Sequence, residues 1–130
     1  MNPSDRKYSK QHEWAKLDQD GTVIAGITAF AQEQLGDIVF LDLPSPGTTV
    51  KQFEKLGEVE SVKAVSDIYS PISGEVLTLN QIAVDGPETV NQDPFEQGWM
   101  VKIKPTNLSQ EMENLLSSDS YDAFIESEAH

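Results

Sequence analysis

The chain has 130 residues and a formal net charge of −13, with 22 acidic against 9 basic side chains, and it contains no cysteine. The length predicts one domain with a hydrophobic core of its own. The charge argues against nucleic acid or an anionic membrane as a partner, because both would repel the chain, and it favours electropositive protein surfaces. The missing cysteine excludes a disulfide, a thiolate nucleophile and a cysteine-ligated metal.

Residues 1–7 form a polar lead-in that has neither the apolar stretch of a signal peptide nor the Arg-rich pattern of a transit peptide. No apolar run in the sequence is long enough to span a bilayer. We therefore expect a cytoplasmic protein without a membrane partner, although a mature organellar protein that has lost its presequence would have the same features.

A hairpin and a short helix are predicted at the start of the chain. Residues 12–17 and 22–27 favour strands, and the Asp-Gln-Asp-Gly turn between them predicts a hairpin. Thr28 is a good N-cap for a short helix that ends at Leu35, and Gly36 suits the position that follows it.

The middle of the chain predicts further strands. Residues 37–43 are almost continuously apolar, so we expect a strand that is covered on both faces. Pro-Ser-Pro-Gly ends this run, and a short strand follows at residues 48–50. Residues 57–62 and 65–69 favour strands on either side of Lys63. Lys63 should therefore lie at the tip of a hairpin, with its stem projecting into water.

Two more strands complete the β part of the chain. Residues 74–80 alternate between apolar and polar, which predicts a strand with one apolar face. Residues 99–103 predict the last strand, closed by Pro105. The loop at 85–98 between them has one helical turn, at residues 87–90.

A helical extension is predicted over residues 107–130, with Asn107 or Ser109 as its cap. Its apolar residues recur at helical spacing in two segments: Leu108, Met112, Leu115 and Leu116, then Tyr121, Phe124 and Ile125. Many short strands, Gly- and Pro-rich turns and a helical end predict a mainly β fold with added helices, as a small β-sandwich or flattened barrel.

Lys63 is the residue with the clearest potential for a function. It is the first basic residue after Lys55, and Glu58, Glu60 and Asp67 surround it in the sequence. A lysine on an exposed turn can be reached and modified by another protein. The alternative is a plain solvated charge, because lysine is almost always exposed.

The sequence has no constellation for catalysis of its own. His12 and His130 are its only histidines, and without cysteine they do not complete an ordinary transition-metal site. No Gly-x-Ser-x-Gly elbow and no Gly-rich phosphate loop are present. We therefore predict no catalytic residue and no metal site, and we expect that the chain is not an enzyme.

Several motifs on both sides of Lys63 occur in an order that is typical of one family. The central motif is ESVKAVSD at 60–67, followed by SPISGEV at 70–76. The other motifs, in chain order, are HEW at 12–14, GIT at 26–28, AQ at 31–32, LGDIV at 35–39, LP at 43–44, Asn91, DP at 93–94, GWM at 98–100, LL at 115–116 and Tyr121. Over about residues 8–126 the chain resembles the lipoyl-carrying H protein of the glycine cleavage system.

The resemblance implies a single lipoyl-carrier domain over residues 1–130, with two small sheets in a flattened barrel and lipoic acid joined to Lys63 by an amide. The lipoyl group would supply the sulfur that the chain lacks. The chain would shuttle the aminomethyl group from glycine decarboxylase to a tetrahydrofolate-dependent aminomethyltransferase, and then electrons to dihydrolipoyl dehydrogenase. Lipoyl-attaching enzymes would be further partners, and we expect the carrier to be a monomer.

The resemblance also implies that the loaded arm folds into a cleft on its own carrier. Glu13, in the HEW motif, and Asp67, four residues after the lysine, match the positions that would contact the cationic amine. The alternatives are a solvated strand acid for Glu13 and an ordinary turn residue for Asp67. Ala29 and Phe30 stand where relatives often carry a more polar pair, which leaves the polarity of the cleft wall open.

Two other functions remain open on the sequence alone. One is a different swinging-arm domain, of the biotinyl or acyltransferase type. Biotinyl lysines typically sit between methionines, whereas Lys63 is flanked by Val62 and Ala64. The other is an H-like protein that donates lipoyl groups to other complexes, which would use the same lysine.

Overall fold

The computed structural model describes residues 2–128. This part of the chain contains nine strands and five helices, joined by turns and loops. Met1 and the last two residues of the predicted extension, Ala129 and His130, lie outside the described residues. The strands are β1 Lys7–Tyr8, β2 Glu13–Leu17, β3 Val23–Ile27, β4 Ile38–Asp42, β5 Thr49–Val50, β6 Lys55–Ser61, β7 Val65–Tyr69, β8 Gly74–Leu79 and β9 Val101–Pro105. The helices are α1 Ala29–Leu35, α2 Gln81–Asp85, α3 Glu88–Gln92, α4 Leu108–Met112 and α5 Ser118–Glu128.

The strands pair antiparallel in two sheets. The larger sheet has the order β1-β2-β3-β9-β8-β5 and the smaller one has the order β4-β6-β7. Apolar side chains of both sheets pack in one core, among them Val76 and Ile103 from the larger sheet and Val59 and Ile68 from the smaller. Both sheets have free edges, so the fold is a flattened sandwich rather than a closed barrel. The predicted mainly β fold class with added helices is confirmed.

The β2–β3 hairpin and helix α1 form as predicted. The Thr28 side chain accepts a hydrogen bond from the Ala31 backbone N–H at 3.2 Å, which satisfies a free donor of the first helical turn. Gly36 ends the helix with a φ of 82°, a conformation that glycine adopts without steric penalty. This cap matters for the site because it determines how the chain leaves α1 towards β4.

Strand β4 differs from its prediction, which expected both faces to be covered. Ile38 and Leu41 are buried, but Val39 and Phe40 are 50% and 54% exposed. The prediction was wrong because β4 is an edge strand of the small sheet, and the outer face of that sheet is open to solvent. The apolar run therefore marks an exposed apolar surface as well as a core strand.

The helices after β8 also differ in part. Helix α2 was not predicted, since it has five residues with Ala83 as its one buried side chain and so shows no periodicity. Helix α4 ends at Met112 rather than continuing to Leu116. The Leu116 backbone instead pairs with Tyr8, with N···O distances of 2.7 and 2.8 Å. Among the described helices, none combines the length and the apolar character needed to cross a membrane.

The polar lead-in is anchored to the fold by Arg6. This residue is 5% exposed, and its guanidinium donates to the Phe95 carbonyl at 2.7 Å and stacks over the Trp14 ring at 4.7 Å. Trp14 belongs to a second buried cluster with Tyr8 and Tyr121. This cluster holds helix α5 against β1 and β2, which brings the end of α5 to the site described next.

Candidate functional site

The β6–β7 hairpin presents Lys63 at its tip, as predicted. Ser61 holds the turn, because its side-chain oxygen lies 3.3 Å from the Lys63 backbone N and 3.1 Å from the Ala64 backbone N. The Ser61 backbone N–H also donates to the Ala64 carbonyl at 2.8 Å. Ser61 was not predicted as a site residue, although a serine at the start of a turn is a recognisable signal.

The tip is joined to the loop between α1 and β4. The Val62 backbone N–H donates to the Asp37 carbonyl at 3.0 Å. The stem of Lys63 lies beside Gly36, since a Cβ built on Gly36 would be 3.4 Å from the Lys63 Cε atom. The lysine stem and the end of α1 are therefore close neighbours at Gly36.

Asn91 of α3 supports this loop. Its amide nitrogen donates to the Gly36 carbonyl and to the Gln32 side chain, both at 2.9 Å. Its amide oxygen accepts from the Ile38 backbone N–H, also at 2.9 Å. One side chain thus connects the last turn of α1, the loop under Lys63 and the start of β4.

Two of the three acids near Lys63 in the sequence, Glu58 and Asp67, are paired with a different lysine. The Lys55 ammonium lies 3.4 Å from the Asp67 carboxylate and also contacts Glu58. Within residues 2–128, Lys63 takes part in no salt bridge, and its side chain is exposed. Its amine is therefore accessible to a modifying enzyme without first breaking an ion pair.

A cleft of about 530 Å³ lies beside the tip. Ile27, Ala31, Leu35 and Ile68 are among its apolar residues, and Glu13 and Glu128 are among its acidic ones. Asp67 also borders the cleft, but its carboxylate contacts Lys55 on the outer face of the small sheet. The structure thus brings Glu13 and Asp67 to one cavity, although they are far apart in the sequence. Lys63 does not line the cleft itself, but its stem lies beside Gly36, which directly follows the cleft residue Leu35.

Glu13 is a buried acid at the wall of this cleft. It is 3% exposed, and its two carboxylate oxygens accept from the Ser9 hydroxyl at 2.6 Å and the Tyr69 backbone N–H at 3.2 Å. Burial raises the pKa of Glu13 to about 7, while these hydrogen bonds oppose the shift. A cation entering the cleft would favour the ionised form of this carboxyl.

Helix α5 contributes two groups that were not predicted as site residues, the Tyr121 hydroxyl and the Glu128 carboxylate. The Tyr121 hydroxyl lies 2.8 Å from both the Thr28 hydroxyl and His12 Nδ1, and His12 Nε2 lies 3.4 Å from Glu128. Burial lowers the pKa of His12, and the Glu128 carboxylate opposes this shift. Because an ionised Glu128 carboxylate only accepts, neutral His12 with its proton on Nε2 donates to Glu128, and its Nδ1 then accepts from the Tyr121 hydroxyl. The end of α5 is thereby attached to the cleft wall.

The fold and the exposed hairpin lysine are those of a lipoyl-type carrier domain, a class in which a prosthetic arm is presented on a turn. A family model described as "Glycine cleavage H-protein" matches residues 6–128. The chain therefore belongs to the glycine cleavage H-protein family and is a carrier component of the glycine cleavage system. This result favours the predicted family over the biotinyl and acyltransferase alternatives.

Individual relatives agree with the family model over nearly the whole chain. A glycine cleavage system H protein of Saccharophagus degradans is 53% identical over 125 residues, which cover 96% of this chain and 95% of the relative. A glycine cleavage system H protein of Salmonella arizonae is 50% identical, with 97% of each chain covered. The crystal structure of a glycine cleavage system H protein from Mycobacterium marinum is similar with a TM-score of 0.86 and 42% identity, over 94% of this chain and 97% of that one.

Proposed function

We propose that Lys63 carries a lipoyl group in amide linkage and that the chain shuttles the aminomethyl group of glycine between enzymes. Its partners would be glycine decarboxylase, the tetrahydrofolate-dependent aminomethyltransferase and dihydrolipoyl dehydrogenase. The observation that carries this proposal is the exposed Lys63 amine at a hairpin tip near the cleft, which makes no salt bridge within residues 2–128. When bound, the lipoyl group would supply a disulfide that exchanges the one-carbon amine and electrons with those enzymes.

The residues around Lys63 fit a lipoyl group. The group consists of an aliphatic chain ending in a dithiolane ring, and Ile27, Leu35 and Ile68 give the cleft an apolar wall for such a chain. The lysine stem lies beside Gly36 at the end of α1, next to the cleft residue Leu35. Both features support attachment at Lys63 and an arm that rests against its own carrier.

We further propose that Glu13 and Asp67 hold the cationic amine of the loaded carrier. Glu13 offers a carboxylate that is removed from water, where attraction to an ammonium group is strong. Asp67 borders the same cleft on the edge strand of the small sheet, and its carboxylate would leave Lys55 and turn round this edge to reach the cargo. In this arrangement the chain itself binds, orients and shields the cargo, and the partner enzymes perform the reactions.

We also propose that residues 1–130 act as one carrier domain and as a monomer. Shared packing of both sheets in one core supports this proposal, as does the anchoring of the N-terminal segment by Arg6. A rigid body that holds one flexible arm suits a carrier that must visit several active sites in turn, because tethering raises the local concentration of the arm at each docked enzyme.

Intact-mass analysis tests the attachment site. Protein produced in lipoate-competent cells should carry one lipoyl adduct, and peptide mapping should place it on Lys63. Lys63→Arg should abolish the adduct and keep the fold, because guanidinium is not acylated, whereas the nearby control Lys55→Arg should keep the adduct. An adduct on another lysine, or a biotin adduct, would refute the assignment.

A second assay tests the shuttle role against the lipoyl-donor alternative. Lipoylated chain should support exchange between glycine and bicarbonate when it is mixed with glycine decarboxylase, and Lys63→Arg should not. A lipoylated chain that supports no exchange but transfers its lipoyl group to other complexes would establish the alternative.

A further inference from the structure

The outer face of the small sheet carries an exposed apolar surface beside Lys63. The strand register places Phe40, Glu60 and Val65 in one row across β4, β6 and β7. Phe40 is 54% exposed and Val65 is 62% exposed. Val39 precedes Phe40 at an irregularity in the pairing, Val62 lies in the turn, and they are 50% and 68% exposed. We call Val39, Phe40, Val62 and Val65 the tip patch.

An acidic row lies next to the tip patch on the same face. It consists of Asp42, Glu58 and Asp67, which the register aligns across the three strands. Lys55 contacts two of these carboxylates, and Glu60 adds a fourth carboxylate to the face. The surface around Lys63 is therefore apolar at the tip and negative behind it.

The tip patch and the acidic row together indicate the chemistry of the partner surface that would bind them. An exposed apolar cluster with a polar rim is typical of a protein docking site. A second copy of this chain would bring another acidic row against the first, in addition to its net charge of −13, so self-association is opposed. The partner surface that complements this face has an apolar pocket for the tip patch and basic residues opposite the acidic row.

The enzyme that acts on the unmodified lysine fits this position best. It must bring an activated acyl carbonyl within bond-forming distance of Nζ, at the end of a stem of four carbons that starts in the tip. Its surface therefore has to cover the residues that adjoin Lys63. The enzymes that use the finished arm act on the far end of a longer tether, so their reacting groups are not required to come as close to Lys63.

We propose that the tip patch and the acidic row are the docking surface for the lipoyl-attaching enzyme, an inference that rests on the proposed attachment at Lys63. The docked enzyme transfers a lipoyl group from an acyl phosphate anhydride or a thioester. The neutral Nζ forms a C–N bond to the acyl carbon, the bond from this carbon to the leaving oxygen or sulfur breaks, and the nitrogen releases one proton to solvent while the other stays on the amide. No oxidation or reduction occurs in this step.

Acylation kinetics of the unlipoylated chain test this proposal. The probe is a lipoate–protein ligase with lipoate and ATP, and the mass increase at Lys63 is followed while the concentration of the chain is varied. The double variant Phe40→Ser/Val65→Thr should raise the KM for the chain about tenfold and change kcat much less, because it removes apolar anchors and leaves the lysine intact. The control Ile82→Thr changes a residue that is 71% exposed on α2 and should leave both constants unchanged.

The acidic row has its own variant. Asp42→Asn/Glu58→Gln should raise the KM for the chain several-fold and reduce its dependence on salt, measured between about 50 mM and about 500 mM NaCl. Val65→Thr alone keeps a β-branched residue at an exposed strand position, so it provides a folded variant if the double change at the tip patch unfolds the chain.

The outcomes separate the docking surface from the proposed function. An unchanged KM in the tip-patch variants would overturn the docking proposal, as would a wild-type dimer in sedimentation that these variants convert to monomer. Wild-type chain that is never acylated at Lys63 would instead refute the proposed function. A raised KM in the tip-patch and acidic-row variants, with the Ile82→Thr control unchanged, supports the docking surface.

Discussion

Glu13 combines almost complete burial with hydrogen bonds to both of its carboxylate oxygens. Burial acts against the charged form, and the donors from Ser9 and Tyr69 act for it. Burial has the larger effect, since the pKa rises from its ordinary 4.5 to about 7. Near neutral pH the carboxyl is therefore poised between protonated and ionised, and a nearby cation would shift it towards the ion.

Glu13→Gln should change how stability depends on pH. Between pH 4.5 and about 7, folded wild type keeps a Glu13 proton that the unfolded chain has lost, so Glu13 lowers the free energy of unfolding as pH rises through this window. Glutamine has no such proton. The variant should therefore gain stability relative to wild type by on the order of 3 kcal/mol between pH 4 and pH 8.

Urea unfolding of both unlipoylated proteins at several pH values measures this difference. His12 contributes the opposite slope, because its pKa is lowered by burial, but it is present in both proteins and cancels in the comparison. Parallel stability curves for wild type and variant would contradict a buried Glu13 that is protonated near neutral pH.

At the residue scale, the sequence predicted where Lys63 lies in the fold better than it predicted which side chains surround Glu13. Lys63 could be placed on a turn because strand-forming runs flank it locally. That Glu13 and Asp67 share one cleft is a prediction that came from the resemblance, and the structure brings them together. The burial of Glu13 and the presence of Glu128 depend on contacts between distant segments, and local patterns do not contain this information.

The β6–β7 hairpin is stabilised by helix α3, which follows it in the chain and contacts the loop beneath its tip. Its tip is bonded to the loop at Asp37, and Asn91 fixes the residues on both sides of that loop. The β6–β7 hairpin and α1 were predictable from turn and capping residues. Their connection through α3 was not, because Asn91 is 53 residues from its partner Ile38.

Asn91→Ala should loosen the loop beneath Lys63. It leaves the Ile38 N–H and the Gly36 carbonyl without their partner, so we expect a loss of about 1–3 kcal/mol in the free energy of unfolding. Amide exchange at Ile38 and Val62 should become faster than in wild type. The matched control is Asn114→Ala, since Asn114 is exposed and bonded to Gln52, and it should leave both amides unchanged. Unchanged exchange at Val62 in Asn91→Ala would contradict a link from α3 to the tip.

At the scale of the whole molecule, the described residues form two buried clusters. The larger core joins both sheets, and the cluster of Tyr8, Trp14 and Tyr121 attaches α5 to β1 and β2. The sequence predicted α5 from its apolar spacing, but the part of α5 that reaches the cleft was not predicted. Its position follows from the Tyr121 hydroxyl, which joins α5 to the cap of α1 and to His12.

Tyr121→Phe tests whether this hydroxyl attaches α5 to the cleft wall. The change keeps the ring, which stacks on Tyr8 at 4.7 Å, and removes hydrogen bonds to Thr28 and His12. We expect a loss of about 1–3 kcal/mol in the free energy of unfolding, because the buried Thr28 hydroxyl and the partly buried His12 ring each lose a partner. The pKa of His12 should also rise, since Nδ1 of the neutral ring loses the donor that stabilises it.

NMR titration of the histidine ring protons measures this second effect, which a general loss of stability would not produce. Tyr8→Phe is the matched control, because its hydroxyl donates to the Pro3 carbonyl and not to His12. This control should lower stability and leave the His12 titration unchanged. If Tyr121→Phe also left that titration unchanged, His12 would not be coupled to α5, and the helix would be held by its aromatic packing alone.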